Sequence, residues 1–101
     1  MFDVKQVSNE EVILVVTGSL SSETAAGIHA IMEELCSGKS SRITLDLSNA
    51  PTINSSVIGK ILLFSKKLAE QERTLQIRGC SEGLFRTFQM IKFDTMISIK
   101  Q

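Results

Sequence analysis

Residues 45–62 read LDLSNAPTINSSVIGKIL and describe a strand, a loop and a helix in succession. Apolar and polar residues alternate through RITLDLS at 42–48, which predicts a strand with one buried face. The loop that follows contains the only proline, Pro51, and a helix is predicted from about Ser55 to Gln71. A strand that leads through a short loop into a helix is the repeating unit of α/β folds.

The rest of the chain repeats this alternation. Residues 2–7 and 11–18, FDVKQV and EVILVVTG, predict two strands joined by a turn at 8–10, the second buried on both faces. Helices are predicted near residues 22–37 and 81–91, and strands in RTLQIRG at 73–79 and TMISIK at 95–100. The order β-β-α-β-α-β-α-β predicts one α/β domain over residues 1–101. We expect a mixed sheet with helices packed mainly on one face.

Apolar stripes mark the buried faces of the two outer helices. Ser21 or Ser22 is expected to cap the first helix, and Gly38 to end it. Its predicted stripe consists of Ile28, Ile31, Met32 and Leu35. The last helix places Leu84, Phe85, Phe88 and Ile91 on one face.

Composition restricts the class of protein. The chain has 101 residues, of which 43% are hydrophobic and 22% charged, as expected of one globular domain. Eleven basic and eleven acidic residues cancel, so we expect no binding to nucleic acid. No apolar run approaches the ~20 residues of a membrane-spanning helix, and the start, MFDVKQVSNEE, lacks signal-peptide features. We therefore expect a cytoplasmic protein without membrane insertion.

Motifs for catalysis or metal binding are missing from the sequence. It contains neither GxGxxG nor GxxxxGK[ST]. Cys36 and Cys80 are 44 positions apart, form no CxxC unit and are interpreted as free thiols. The single His29 is expected on a helix surface and gives neither cysteine a plausible partner. A triad with the serines would require His29 to converge on them. Asp46 is expected to face solvent or cap a nearby backbone group. We expect no enzyme activity, no cofactor and no metal site.

The serine pair Ser55–Ser56 stands at the predicted start of a helix, and two explanations apply. Asn54, Ser55 or Ser56 would cap the helix by accepting hydrogen bonds from its free N–H groups. Alternatively, the pair carries a phosphorylation site, because a helix N-terminus stabilises a phosphate. Both explanations stay open on the residues alone.

The helix after the serines is more apolar than one buried face requires. At about 100° per residue, the predicted sheet-facing stripe is Ile58, Ile61, Leu62, Ser65 and Ala69, widened to one side by Val57, Phe64 and Leu68. Leu63 falls outside this arc, near Lys60 and Lys67. Leu63 is either an ordinary exposed leucine or part of a partner-binding face bordered by lysines.

Residues 45–62 resemble the hallmark segment of the STAS domain family, the anti-sigma factor antagonists of bacteria. In that family a strand ending in LDLS leads through a short loop to a D-S-[ST]-G-like turn that opens a helix. VTGSLSSETA at 16–25 resembles the family's first-helix opening. LFRTFQMIKFDTMISI at 84–99 resembles its last helix, a turn around Phe93 and Asp94, and the closing strand. The resemblance covers the whole chain, in the same element order.

The resemblance implies a partner switch. The unmodified family domain binds an anti-sigma factor serine kinase, which sets the sigma factor free. That kinase phosphorylates the first serine of the pair, and a serine phosphatase reverses the reaction. Ser55 matches this position, with Ser56 as the second choice. From the helix geometry, we expect the partner surface to consist of Asn54, Ser56, Val57, Lys60, Leu63 and Lys67.

Two residues depart from the family pattern. Asn54 stands where the family has an acidic residue, and Val57 stands where it has a glycine. These departures support a second hypothesis, in which the domain is a non-phosphorylated STAS adaptor or scaffold in a signalling or lipid-transport complex.

Overall fold

The computed structural model describes residues 2–18, 25–50 and 52–100. The strands are β1 (Phe2–Gln6), β2 (Glu11–Thr17), β3 (Arg42–Asn49), β4 (Thr74–Arg78) and β5 (Ser98–Ile99). The helices are α1 (Ala25–Cys36), α2 (Ser55–Glu70) and α3 (Glu82–Met90), with a 3-10 turn at Phe93–Thr95 before β5. This order confirms the predicted one. Ser21 and Ser22, expected to cap α1, lie outside the described residues.

The five strands form one mixed sheet in the order β1-β2-β3-β4-β5. β1 runs antiparallel to β2, and β2 to β5 run parallel to one another. β3 is the central strand, and its Leu45 lies in register between Leu14 and Ile77. The helices return the chain between parallel strands, so the loop from β3 to α2 lies at the carboxyl edge of the sheet.

The core lies on one side of the sheet. Side chains from the strands and from all three helices form one buried cluster, which includes Leu14, Leu45, Ile77, Ile28, Ile61 and Phe88. The other face of the central strands carries polar side chains, with Thr44 and Asp46 on β3 and Gln76 and Arg78 on β4. The predicted packing of helices on one face is therefore confirmed.

A polar cluster fixes the end of β3, just before the serine loop. Asp46 Oδ1 accepts hydrogen bonds from the Ser48 backbone N–H at 2.9 Å and from the Ser48 hydroxyl at 2.6 Å. Its second oxygen pairs with Arg78 at 3.2 Å. Gly79 has φ +74°, and a Cβ there would lie 2.2 Å from Ser48 Oγ. The LDLS segment therefore ends in a tight, glycine-dependent contact with β4.

Arg73 joins the end of α1 to the start of β4. Its buried guanidinium donates to the carbonyl oxygens of Leu35 and Cys36 at 2.8 Å and of Ser40 at 2.6 Å. It also donates to Gln71 Oε1 at 2.7 Å. Backbone carbonyls left free at a helix C-terminus attract cations. Arg73 thus holds α1 against the segment that ends α2.

The buried residues of α2 lie within the predicted apolar arc, but the centre of the buried face is shifted toward its Val57 side. Val57, Ile61, Phe64 and Leu68 are buried, whereas Ala69 is exposed. The face is turned because α2 packs against α1 as well as against the sheet, so that Phe64 joins the core with residues of α1. The apolar arc of α2 is wide enough to fit either orientation.

The C-terminal part also differs in detail. Ile91 is exposed, because α3 ends at Met90 and Lys92 turns into the left-handed region with φ 60°. The family resemblance implies a turn around Phe93 and Asp94, and residues 93–95 form a 3-10 helix there, so that β5 has only two residues. Phe93 is buried against Phe88, with 5.2 Å between their ring centres. The turn therefore anchors the chain end by an aromatic contact instead of a longer strand.

Candidate functional site

Asn54 caps α2. Its backbone is extended, with φ −92° and ψ 166°, and its Oδ1 accepts a hydrogen bond from the Val57 N–H at 3.0 Å. The same oxygen accepts from the Ser56 hydroxyl at 2.9 Å. Of the three cap candidates in the sequence, Asn54 therefore performs this role, and Ser56 supports it.

Ser55 is the first residue of α2, and its side chain is exposed. Within residues 2–18, 25–50 and 52–100, its hydroxyl has no hydrogen-bond partner. The backbone N–H groups of Ser55 and Ser56 also lack acceptors in this part of the chain. Among the described residues, a hydroxyl without a partner thus lies beside two N–H donors without acceptors, at the positive end of a helix of 16 residues.

Val57 does not belong to an accessible surface. Its side chain is fully buried, at 0% exposure, as part of the core face of α2. The expectation that it contacts a partner is therefore corrected. The residue after the serines serves packing here, because the turned helix directs it toward the core.

The other predicted partner residues on α2 share one face. Ser56, Lys60, Leu63 and Lys67 recur at intervals of three or four residues, so they form a single stripe along the helix. Leu63 is 52% exposed, Lys67 is exposed and Lys60 is half-buried. We call this set the Lys60–Lys67 stripe. Ser55 lies about 100° around the helix from Ser56, at the border of the stripe.

Three members of the stripe, Lys60, Leu63 and Lys67, line one wall of a groove between α1 and α2, which we call the α1–α2 groove. The α1 wall consists of His29, Met32, Glu33 and Cys36. His29 Nε2 lies 3.0 Å from Glu33 Oε1, and the cavity volume is about 60 Å³. His29 lies at the helix surface, as expected from the sequence, but its part in a groove was not predicted. The spacing of His29, Glu33 and Cys36 at i, i+4 and i+7 indicates that these residues share one face of α1, and this was the sequence feature that could have predicted the α1 wall.

Of the two thiols, only Cys36 lines this groove. Both cysteines are free, with Cys36 half-buried and Cys80 buried. Burial raises the pKa of both thiols, and for Cys36 the charges of Lys67 and Arg73 oppose this rise. Across the described residues, no group of three or more His, Cys, Asp or Glu is arranged to hold a metal. In the same residues, no helix has the length and apolar character needed to cross a membrane.

The comparison with protein families identifies the class. The family model described as "Mlab, STAS domain" matches residues 4–98. The chain therefore belongs to the STAS domain family. A search of curated proteins finds no significant match.

Solved structures support the same fold. The anti-sigma factor antagonist SpoIIAA of Bacillus matches in its unphosphorylated form at 19% identity, with a TM-score of 0.83, over 100% of this chain and 89% of that chain. Its phosphorylated form also matches, with a TM-score of 0.78 at 18% identity, over 100% of this chain and 92% of that chain. A Thermotoga maritima protein described as an anti-sigma factor antagonist matches at 23% identity, with a TM-score of 0.90, over 99% and 86% of the two chains.

A transporter protein has the same fold. A sulfate transporter family protein from Wolinella succinogenes matches at 15% identity, with a TM-score of 0.79, over 95% of this chain and 80% of that chain. Likeness at such identities shows a shared fold and leaves function to the site itself.

Proposed function

We propose that this STAS domain is an anti-sigma factor antagonist that phosphorylation of Ser55 switches off. In this proposal it is a non-enzymatic protein of the bacterial cytoplasm. It binds an anti-sigma factor serine kinase, and a serine phosphatase restores the unmodified form. The observation that carries the proposal is the division of roles between Asn54 and Ser55. Because Asn54 caps α2, the exposed Ser55 hydroxyl has no hydrogen-bonding task among residues 2–18, 25–50 and 52–100.

A phosphate on Ser55 is compatible with the fold. The free N–H groups of Ser55 and Ser56 offer donors to it, and the first turn of α2 contains no acidic residue. The structural likeness to both the unphosphorylated and the phosphorylated form of SpoIIAA is consistent with a domain that keeps its shape. We therefore expect the modification to change affinity and to leave the fold intact.

The loss of affinity has a simple physical origin. The phosphate adds about −1.5 to −2 charges at the border of the partner surface. Burying this group in the contact removes its water shell, and partner carboxylates would repel it. Lys60 lies one turn beyond Ser56, whereas the residue one turn beyond Ser55 is Gly59. Lys60 therefore neutralises a phosphate on Ser55 less well than one on Ser56.

A second function has its own support. The family description names Mlab, and the sulfate transporter protein shares the fold. Asn54 brings no charge to recognition by a kinase, unlike the acidic residue expected in the family. The alternative is therefore a STAS adaptor that assembles a signalling or transport complex without phosphorylation. Such an adaptor would bind its partner equally well with or without a charge at residue 55.

Affinity measurements separate the two functions. If a histidine-kinase-like ATPase is encoded beside this protein, it is the first kinase to test, and titration calorimetry gives the Kd of the complex. We expect Ser55→Ala to bind like the parent, and Ser55→Asp to bind at least about 100-fold more weakly, equivalent to about 2.7 kcal/mol. Equal Kd values for the two variants would contradict the switch and favour the adaptor.

A third variant tests the surface itself. Leu63 is half-exposed and outside the core, so Leu63→Glu is expected to weaken binding while the melting temperature stays nearly unchanged. The matched control is Lys66→Glu, an exposed position on the same helix but outside the Lys60–Lys67 stripe. Similar binding by both variants would show that the partner surface is misplaced.

A further inference from the structure

We propose that the α1–α2 groove receives an acidic segment of a protein partner, in which carboxylates flank one apolar side chain. The inference rests on the proposed function, because it assigns the chemistry of the partner at the same face of α2. It adds the α1 wall to the contact and specifies what the partner must carry. Charge, apolar surface and cavity size each support it.

The charge of the groove is positive. Lys60 and Lys67 are two turns apart on α2, about 10 Å along the helix axis. Neither has a carboxylate partner within the part of the chain that the structure describes. The opposite wall contributes one carboxylate, Glu33, which is paired with His29 at 3.0 Å. Two unpaired lysines on a chain of zero net charge favour an anionic segment.

The apolar surface of the α1–α2 groove lies between Lys60 and Lys67. Leu63 is 52% exposed at the rim, and Met32 and Phe64 lie almost fully buried beneath it. A half-exposed leucine over a buried apolar floor is a place where an apolar side chain gains contact area. The spacing therefore matches an apolar anchor with an acidic residue on either side.

The size of the cavity favours a protein segment over a free small molecule. Its volume of about 60 Å³ has room for the tip of one side chain. Small-molecule pockets are typically about 300–1,000 Å³. A segment lying across the rim, with one side chain inserted, uses both the small cavity and the lysines.

Cys36 provides a direct reporter for occupancy. It lines the groove and is half-buried, whereas Cys80 is 4% exposed and lies outside the groove. A segment seated in the groove covers Cys36 and slows its alkylation. Cys80→Ser leaves Cys36 as the only thiol, so the rate reports on the groove alone.

The test uses the full chain and a display library of random 12-residue peptides. We expect the enriched peptides to carry acidic residues on both sides of a leucine, methionine or phenylalanine. They should slow the iodoacetamide reaction of Cys36 at least threefold. In the double variant Lys60→Gln/Lys67→Gln, their affinity should fall by about tenfold, because exposed ion pairs contribute modestly. The matched control Lys66→Gln should bind like the parent.

Several results would overturn the inference. These are enriched peptides without acidic residues, binding indifferent to the double variant, unchanged alkylation of Cys36, or no enrichment at all. Gel filtration that shows a dimer with Cys36 protected would assign the groove to a second copy instead. The outcome is independent of phosphorylation. If peptide binding requires both lysines but no kinase phosphorylates the chain, the proposed switch is contradicted. The inference about the groove still holds in that case.

Discussion

The Ser56 hydroxyl donates a hydrogen bond to Asn54 Oδ1 across 2.9 Å. The same amide oxygen caps α2 through the Val57 N–H at 3.0 Å. This relationship separates two serines that look equivalent in the sequence. Ser56 belongs to the cap, and Ser55 is left exposed with its hydroxyl free among the described residues.

The cap gives the first prediction. Asn54→Ala removes the acceptor for both the Val57 N–H and the Ser56 hydroxyl. We expect the free energy of unfolding to fall by about 1 kcal/mol, within the range of about 0.5–2 kcal/mol known for caps. Urea denaturation measures this change.

Two controls sharpen the cap prediction. Asn54→Asp keeps an acceptor and adds a charge favourable at a helix N-terminus, so its stability should match the parent. Ser55→Ala should change stability by less than about 0.5 kcal/mol, as surface substitutions do. A larger loss for Ser55→Ala than for Asn54→Ala would show that Ser55 is the true cap.

Two glycines are predicted to respond in opposite directions. Gly79 has φ +74°, and a Cβ there would overlap Ser48 Oγ at 2.2 Å, so Gly79→Ala should destabilise by at least about 1–2 kcal/mol. Gly59 lies inside α2 with open space for an added methyl group, so Gly59→Ala should stabilise by about 0.5–1 kcal/mol. Thermal melts of the pair give the comparison, and shifts of the same sign would contradict it.

Asp46 gives a prediction for acid stability. Burial alone would raise the pKa of its carboxyl, but hydrogen bonds from Ser48 and the charge and hydrogen bond of Arg78 outweigh burial and lower the pKa. A folded-state pKa below the unfolded value of about 3.9 stabilises the fold above that pH. The stabilisation is lost as the pH falls through the folded-state pKa.

Asp46→Asn tests this dependence, because it removes the titrating group. We expect the variant to be less stable than the parent at pH 7, and the difference to shrink toward pH 3. Urea denaturation at the two pH values gives the difference. A stability gap that stays constant with pH would mean that the Asp46 pKa is the same in the folded and unfolded states.

The fold could be predicted from regular patterns of apolar and polar residues in the sequence. Alternation at Ile43, Leu45 and Leu47 located the central strand, and the order of strands and helices predicted the mixed sheet. The four buried residues of α2 all lie in the predicted apolar arc, but the face is centred on Val57, Ile61, Phe64 and Leu68, because an arc that includes both Val57 and Ile58 fits two orientations. Only the contact with α1 chooses between them, and helical periodicity holds no information about a neighbouring helix.

The site was less predictable for a related reason. Asn54, Ser55 and Ser56 have similar cap preferences, and the cap depends on which side chain adopts the geometry. The α1 wall of the groove was missed because His29 and Cys36 are far in sequence from Lys60 and Lys67. Non-local contacts of this kind depend on how α1 packs beside α2.

The central claim is that Ser55, and not Ser56, accepts the phosphate. The direct measurement incubates the parent and the Ser56→Ala variant with the anti-sigma kinase and Mg-ATP, and maps the phosphate by fragmentation mass spectrometry. The account predicts one phosphate per chain, on Ser55, in both proteins, and none in Ser55→Ala. Phosphate on Ser56, or none on the parent under conditions in which the kinase modifies its own established substrate, would contradict it.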